Sequence, residues 1–216
     1  MKRHDVFKAV EETGIVAIVR GTGASDIVPI AKAMYQGGVR AIEVTMNTRG
    51  AMDMMRELSS ILPKDMLLGA GTVLDPETGR AAILAGATFI LSPTFSRPLV
   101  ELCNRYDVMA VPGVMTPTEA LTAWEAGVDV VKVFPASVLG PSYIKDLKGP
   151  LPQIETMPVG GVNLETIPAF IKAGACSVGV GGELVDKKLI SACDWKGLSE
   201  KAERFTDAIS EARKSK

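Results

Sequence analysis

Short apolar runs alternate with longer amphipathic stretches along the whole chain. The apolar runs are four or five residues long and rich in Val and Ile, which is typical of buried strands in a parallel sheet. The stretches between them carry apolar residues at helical spacing. The predicted strands are Ile15–Val19, Ala41–Thr45, Met66–Gly69, Thr88–Leu91, Val108–Val111, Val130–Phe134, Ile154–Pro158 and Ser177–Val180. The predicted helices are Ser25–Gln36, Ala51–Leu62, Pro76–Leu84, Pro98–Tyr106, Thr118–Glu125, Ser142–Leu147, Leu164–Lys172 and Trp195–Lys214.

Eight strands alternating with eight helices in 216 residues favour a closed α/β fold, the (β/α)8 TIM barrel. We expect one barrel domain over residues 1–216, with a further helix before the first strand. A doubly wound open parallel sheet is the alternative that the same alternation allows. Ser25, Asp75, Thr116 and Asn163 are expected to cap the helices that follow them.

A glycine precedes every second strand of the predicted barrel, and each glycine suits a left-handed helix C-cap. These glycines are Gly38, Gly86, Gly127 and Gly174. Since alternate strands share layers of inward-facing side chains, the residues five positions later are expected to lie in one layer of the interior. Those residues are Glu43, Leu91, Lys132 and Gly179.

This pattern places Lys132 and Glu43 together inside an apolar barrel. A buried charge is costly, so each group must be paired or have a shifted pKa. A structural Lys–Glu ion pair is one interpretation. The interpretation that we prefer is a lysine of lowered pKa that attacks a carbonyl, with Glu43 moving protons around the resulting imine.

Composition removes several classes of function. The net charge of −1 shows no excess of basic residues that would bind nucleic acid or an anionic membrane. No uncharged run is long enough to span a bilayer. Three cysteines without a CxxC pair suit a reducing compartment, so we expect a cytoplasmic protein. His4 is the only histidine, which argues against His-dependent nucleophile pairs and His-rich zinc sites. Lysine, carboxylates, arginine and backbone amides remain as working groups.

Two glycine clusters follow the last two predicted strands, one at Gly160–Gly161 and one at Gly181–Gly182. Bare glycine amides let an anion approach, and this corner of a barrel commonly holds a substrate phosphate. The plainer interpretation is that these glycines only form tight turns. Glu183 follows the second cluster and opposes an anion unless its side chain turns away.

Polar and rigid residues at other strand ends complete the candidate site. Arg20 and Thr72 are suited to hold a carboxylate, although Arg20 could equally be a solvated charge at a strand end. Pro93 and Phe134 are expected to form walls near Lys132, with a core position the alternative for Phe134.

At these residues the chain resembles the class I, Schiff-base aldolases of 2-keto-3-deoxy-6-phosphogluconate (KDPG) and 2-keto-4-hydroxyglutarate (KHG), together with their phosphogalactonate relatives. The resemblance runs from Ile15 to Val185. It rests on the motifs Ile42-Glu43-Val44-Thr45, Gly69-Ala70-Gly71-Thr72-Val73, Ser92-Pro93, Pro112-Gly113-Val114-Met115-Thr116-Pro117, Lys132-Val133-Phe134-Pro135 and Val159-Gly160-Gly161-Val162.

The resemblance implies a barrel enzyme, usually a homotrimer, that needs no metal or organic cofactor. It implies that Lys132 forms the Schiff base and that Glu43 is the general acid/base. It also implies that Arg20 and Thr72 contact the substrate carboxylate. The phosphate cradle is implied to consist of Gly160, Gly161 and Gly181.

Three positions depart from the gluconate-type pattern. Asn47 stands where that type often has a carboxylate-binding arginine, and Arg20 could take over its role. Val159 replaces a threonine, which removes a hydroxyl that could meet a substrate hydroxyl and so bears on the preferred C4 configuration. Gly182 replaces a serine that could donate to phosphate. The phosphogalactonate branch looks similar at the first two positions.

The expected activity is cleavage of a 2-keto-3-deoxy-6-phospho sugar acid, or of KHG, to pyruvate and an aldehyde. The aldehyde would be glyceraldehyde 3-phosphate or glyoxylate. Two alternatives stay open at this point. One is a phosphate-binding isomerase or synthase without a covalent step, and the other is a non-catalytic barrel that binds a sugar phosphate.

Overall fold

The computed structural model describes residues 1–215, in which helices and strands alternate from end to end. The strands are β1 Ile15–Val19, β2 Ala41–Thr45, β3 Leu67–Gly71, β4 Phe89–Leu91, β5 Met109–Val111, β6 Gly113–Val114, β7 Val130–Val133, β8 Glu155–Pro158 and β9 Val178–Val180. The helices are α1 Arg3–Thr13, α2 Ile27–Gln36, α3 Ala51–Ile61, α4 Pro76–Leu84, α5 Arg97–Arg105, α6 Pro117–Glu125, α7 Ala136–Lys148, α8 Ile167–Lys172, α9 Lys187–Ser191 and α10 Trp195–Lys214.

The strands are parallel and close into a barrel. One sheet has the order β5-β4-β3-β2-β1-β9, and a second has the order β6-β7-β8. Pro112 alone separates β5 from β6, so these two segments occupy one barrel position, β5 pairing with β4 and β6 with β7. A parallel bridge from Val159 to Gly179 joins the β8 side to β9 and completes the circle. The predicted barrel is therefore confirmed, and the open sheet is not formed.

Helix α1 covers one end of the barrel. Its Val6 and Val10 are each 1% exposed and belong to the same apolar cluster as the first residues of β2, β3 and β7. Those first residues are Ala41, Leu67 and Val130. Since α1 packs at the amino ends of the strands, the carboxyl ends stay open at the opposite face. No helix among residues 1–215 is both long and apolar enough to cross a lipid bilayer.

Most of the predicted helix caps are present. Asp75 accepts a hydrogen bond from the Thr78 amide at 2.6 Å, and Thr116 forms a capping box with Glu119. The Asn163 side chain accepts from two amides of the turn before α8. The four glycines that were expected to end helices all have positive φ, at Gly38 (87°), Gly86 (105°), Gly127 (92°) and Gly174 (111°).

The expected cap at Ser25 is wrong. Ser25 lies inside a 3-10 turn over Ala24–Asp26, and its hydroxyl is bonded to the Asp26 carboxylate rather than to a helix amide. Helix α7 also begins earlier than predicted, because Gly140 at φ 69° joins two helical segments that hydrophobic spacing does not connect. The five-residue helix α9 was too short for a periodic pattern to indicate.

Candidate active site

Lys132 and Glu43 both lie in the barrel interior. Lys132 is the third residue of β7 and is 2% exposed, whereas Glu43 is the middle residue of β2 and is fully buried. The other two positions of the predicted layer also face inward. Leu91 belongs to the interior cluster, and a Cβ on Gly179 would point at Ile18 and Val159 of that cluster.

Burial shifts the pKa of both groups toward the neutral form. Desolvation raises the pKa of the Glu43 carboxyl, and the positive charges of Lys132 and Arg20 oppose the rise. Desolvation lowers the pKa of the Lys132 ammonium, the Glu43 charge opposes this, and the Arg20 charge adds to it. A lysine that loses its proton more easily is available as a nucleophile closer to neutral pH.

Gly71 makes the room that the Glu43 carboxyl occupies. A Cβ at Gly71, the last residue of β3, would overlap the Glu43 carboxylate oxygen. Both carboxylate oxygens are buried and have no hydrogen-bond partner among residues 1–215. Such unpaired oxygens are costly in a resting protein, and they are suited to receive a substrate hydroxyl or a water.

Arg20 and Thr72 meet at the carboxyl ends of β1 and β3. An Arg20 Nη2 donates to the Thr72 hydroxyl at 3.3 Å. Thr72 holds a left-handed φ of 57°, which a branched residue adopts only at a cost. The structure therefore brings the Arg20 guanidinium and the Thr72 hydroxyl together at the carboxyl ends of the strands.

The glycine clusters line an open cleft of about 410 Å³ at the same face. A Cβ at Gly181 or Gly182 would meet nothing within 4 Å, so both amides border open space. The amides of Gly161, Gly181 and Gly182 donate to no backbone acceptor among residues 1–215. Seven of the predicted site residues border this cleft: Arg20, Phe134, Val159, Gly160, Gly161, Gly181 and Gly182.

Phe134 connects the cleft to the lysine, because its ring centroid lies 4.9 Å from Lys132 Nζ. The other five predicted site residues do not border the cleft: Lys132, Glu43, Thr72, Asn47 and Pro93. Asn47 is exposed in the turn after β2, and Pro93 turns its carbonyl against Gly113. Helix α8 begins only at Ile167, whereas the sequence predicted a helix from Leu164, so its first turn lies further from Gly160–Gly161 than expected.

Sequence analysis missed two polar residues of the cleft, Thr22 and Lys187. Both lie a few residues beyond a strand end in loop or short-helix segments, where no periodic pattern shows their direction. Residues 1–215 hold no group of three or more His, Cys, Asp or Glu side chains placed to bind a metal ion.

The family model described as "Aldolase: KDPG and KHG aldolase" matches residues 6–200. The chain belongs to this family. As a member it is a class I aldolase, a lyase of the Schiff-base type. Membership therefore decides against the non-covalent isomerase and the non-catalytic barrel that the residues alone left open.

Two curated relatives that are similar to most of the chain are named as aldolases of the same kind. The chain is 34% identical to the 2-dehydro-3-deoxy-phosphogluconate aldolase of Pseudomonas aeruginosa over 201 residues, covering 91% of each chain. It is also 34% identical to the 2-dehydro-3-deoxy-6-phosphogalactonate aldolase of Escherichia coli over 171 residues, covering 79% of this chain and 83% of the relative.

A solved relative bears directly on the chemistry. The structure of KDPG aldolase from Legionella pneumophila holds pyruvate captured as a covalent carbinolamine intermediate. It is 26% identical to this chain, covers 90% of it and 95% of the Legionella chain, and superposes with a TM-score of 0.83. A carbinolamine is the step before an imine, so that relative works through an amine nucleophile.

Proposed function

We propose that this aldolase cleaves a 2-keto-3-deoxy-6-phospho sugar acid to pyruvate and glyceraldehyde 3-phosphate, with Lys132 as the Schiff-base lysine. The observation that carries the proposal is the buried Lys132, whose pKa is lowered by desolvation, facing the buried carboxyl of Glu43. KHG, which would give pyruvate and glyoxylate, is the alternative substrate.

The neutral amine of Lys132 adds to the C2 ketone of the substrate, and loss of water gives a protonated imine. Glu43 takes the proton of the C4 hydroxyl as the C3–C4 bond breaks, and the electrons of that bond move to C3 to form an enamine. The aldehyde leaves. Glu43 returns the proton to C3, and water hydrolyses the imine to release pyruvate and free Lys132.

Arg20 and Thr72 hold the carboxylate at C1. The two side chains are joined by a hydrogen bond and follow the carboxyl ends of β1 and β3, the two strands on either side of β2. A carboxylate fixed here aims C2 at the lysine and leaves the rest of the substrate to extend along the cleft. Asn47 lies outside the cleft, which supports the transfer of this role to Arg20.

The phosphate of the substrate binds at the two glycine clusters, whose backbone amides border open space. Val159 lines the cleft without a hydroxyl near the substrate's C4. We therefore infer a preference for the galactonate C4 epimer over the gluconate one, in line with the phosphogalactonate relatives. Pro93 supports the β6 segment from outside the cleft through its contact with Gly113.

Pyruvate release from the two C4 epimers, measured with lactate dehydrogenase, tests the proposal. We expect turnover of 2-keto-3-deoxy-6-phosphogalactonate with a kcat/KM above that of the gluconate epimer, and no turnover by Lys132→Ala. Retained turnover by Lys132→Ala would contradict the lysine's role. A kcat/KM that favours the gluconate epimer would contradict the argument from Val159.

We also propose that the chain forms a homotrimer in the cytoplasm. Large apolar side chains are exposed on the segments between β3 and the start of α7, and a subunit contact would remove them from water. They are Leu74, Leu84, Tyr106, Met115, Leu121, Trp124 and Val138. The three free cysteines suit a reducing compartment.

A further inference from the structure

Thr48 is a buried residue in the turn after β2. It is 5% exposed, whereas its neighbours Asn47 and Arg49 are both exposed. A threonine just before a helix often caps that helix with its hydroxyl. The N-cap of α3 is Gly50, however, and the Thr48 hydroxyl is bonded elsewhere. The buried hydroxyl therefore serves a different segment of the chain.

That segment is the turn after β1. The Thr48 hydroxyl accepts a hydrogen bond from the backbone amide of Gly21 at 2.9 Å, across 27 positions of the chain. The Gly21 amide and the Arg20 carbonyl belong to one planar peptide unit. Gly21 itself has a left-handed φ of 65°. The bond from Gly21 to Thr48 therefore fixes the backbone from which the Arg20 side chain extends.

Thr45 braces Thr48 from β2. The Thr45 hydroxyl is fully buried and lies 3.0 Å from the Thr48 hydroxyl, with which it shares a hydrogen bond. The Thr48 amide also donates to the Thr45 carbonyl at 2.9 Å. Thr45 is the last residue of β2 and lies two positions after Glu43, so both side chains belong to the inward face of that strand.

Arg20 is thus held at both of its ends. Its guanidinium is bonded to the Thr72 hydroxyl at 3.3 Å, and Thr48 holds the peptide that follows its backbone. The turn that carries Thr48 is bonded to β3 as well, because the Met46 amide donates to the Gly71 carbonyl at 2.7 Å. A long side chain that is fixed in advance loses less entropy when it binds a carboxylate.

We propose that Thr48 is a positioning residue for Arg20, which it holds through the Gly21 amide in the place where the guanidinium binds the substrate carboxylate. Thr45 is the brace that keeps the Thr48 hydroxyl in position. The inference rests on the proposed function of Arg20 and deepens it. Thr48 lies outside the cleft and acts on the substrate only through Arg20.

Two properties of the site depend on where Arg20 lies. One is the affinity for the carboxylate of pyruvate. The other is the pKa of Lys132, which the Arg20 charge lowers. A displaced Arg20 should therefore weaken pyruvate binding and move the rising limb of imine formation to higher pH. A hydroxyl that only stabilised its own turn would change neither property.

Borohydride trapping of pyruvate, measured across pyruvate concentration and pH, tests the proposal. Thr48→Val keeps the shape of the side chain and removes the hydroxyl. We expect it to raise the half-saturating pyruvate concentration by about 5-fold and to move the limb to higher pH. The plateau rate at saturating pyruvate should stay unchanged. Arg20→Met is the reference, with an expected rise of roughly 10- to 100-fold.

Three further variants separate positioning from stability. Thr48→Ser keeps the hydroxyl and should match wild type in both measurements. Thr206→Val is the matched control, because the Thr206 hydroxyl donates to the Gly37 carbonyl at 3.0 Å and also joins two segments, outside the cleft. It should lower stability in urea and leave pyruvate binding unchanged. Thr45→Val removes the brace and should act as Thr48→Val does, by a smaller factor, which keeps the test open if Thr48→Val does not fold.

The reference variant distinguishes failure of the inference from failure of the proposed function. A raised half-saturating concentration in Arg20→Met with a wild-type value in Thr48→Val would overturn the inference alone. A wild-type value in Arg20→Met would contradict the proposed role of Arg20 and, with it, the inference. Equal rises in Thr48→Val and Thr48→Ser, or in Thr48→Val and Thr206→Val, would assign the effect to packing and overturn the inference. An unmoved pH limb in Thr48→Val would overturn it as well.

Discussion

The charges of Lys132 and Glu43 shift each other's pKa inside the barrel. Burial pushes both toward the neutral form, and the attraction between their charges pushes both back. Arg20 acts on both groups with the same sign, because a positive charge favours an ionised carboxylate and an unprotonated amine. Removing Glu43 or Arg20 therefore has opposite consequences for Lys132.

This opposition predicts the pH dependence of imine formation. In the proposed mechanism the neutral amine of Lys132 is the nucleophile, so the rate of imine formation should rise with pH and level off below 10.5, the ordinary pKa of a lysine. Glu43→Gln removes the charge that raises the Lys132 pKa, so the rising limb should move to lower pH. Arg20→Met removes a charge that lowers the Lys132 pKa, so the limb should move to higher pH.

Rates of pyruvate trapping with borohydride, measured across pH for the three proteins, check this prediction. Each rate is taken at saturating pyruvate, because Arg20→Met is also expected to weaken pyruvate binding. Limbs that move in the same direction in both variants would contradict the electrostatic account.

At the scale of elements, three neighbouring strands bring the candidate site together. Arg20 directly follows β1, Glu43 lies within β2, and Thr72 directly follows β3. The three strands are paired in parallel, with Glu43 opposite Ile18 of β1 and Gly69 of β3. The room for the Glu43 carboxyl depends on Gly71, because any side chain there would occupy the volume of that carboxyl.

Gly71→Ala is therefore expected to displace the Glu43 carboxyl. Overpacking of this kind costs about 1–3 kcal/mol of stability, and misplacing a catalytic group costs on the order of 100-fold in kcat. Pyruvate release and urea unfolding measure the two effects. Gly149→Ala is the control, since Gly149 has an ordinary φ of −57° and a Cβ there would come no nearer than 3.4 Å to another atom. Unchanged kcat in Gly71→Ala would contradict the packing argument.

Most of these elements could be predicted from sequence because their signals are local. Val and Ile runs mark β1, β2 and β7, and the glycines before alternate strands placed Lys132 and Glu43 in one interior. The role of Gly71 could not be predicted, since it depends on a contact between strands. Lys187 was missed for a similar reason, because α9 is too short to show which way its residues point.

At the scale of the molecule, α1 covers the amino ends of the strands, and the last helix, α10, is hydrogen-bonded to the end of α1. Arg213 of α10 donates to the carbonyls of Glu11 and Glu12 at the end of α1, and to that of Cys176 before β9. These bonds tie the two ends of the chain to the amino-terminal face of the barrel. The proposed catalytic residues are not among the groups that Arg213 contacts, so loss of these bonds should leave the candidate site in place.

Arg213→Met should therefore destabilise the fold without changing the chemistry. Loss of these bonds is expected to lower the free energy of unfolding by about 1–3 kcal/mol, measured in urea. kcat should stay at the wild-type value wherever the protein is folded. Arg204→Met, an exposed arginine on the same helix, is the control and should unfold as wild type does. Equal stability of the two variants would show that the clamp contributes nothing.

The most direct test of the central claim is reduction with borohydride in the presence of pyruvate, followed by peptide mass spectrometry. The account predicts one pyruvyl adduct, on the peptide that contains Lys132, and its loss in Lys132→Ala. A pyruvyl adduct on another lysine, or none on an enzyme that releases pyruvate, would contradict the assignment of Lys132 as the Schiff-base residue.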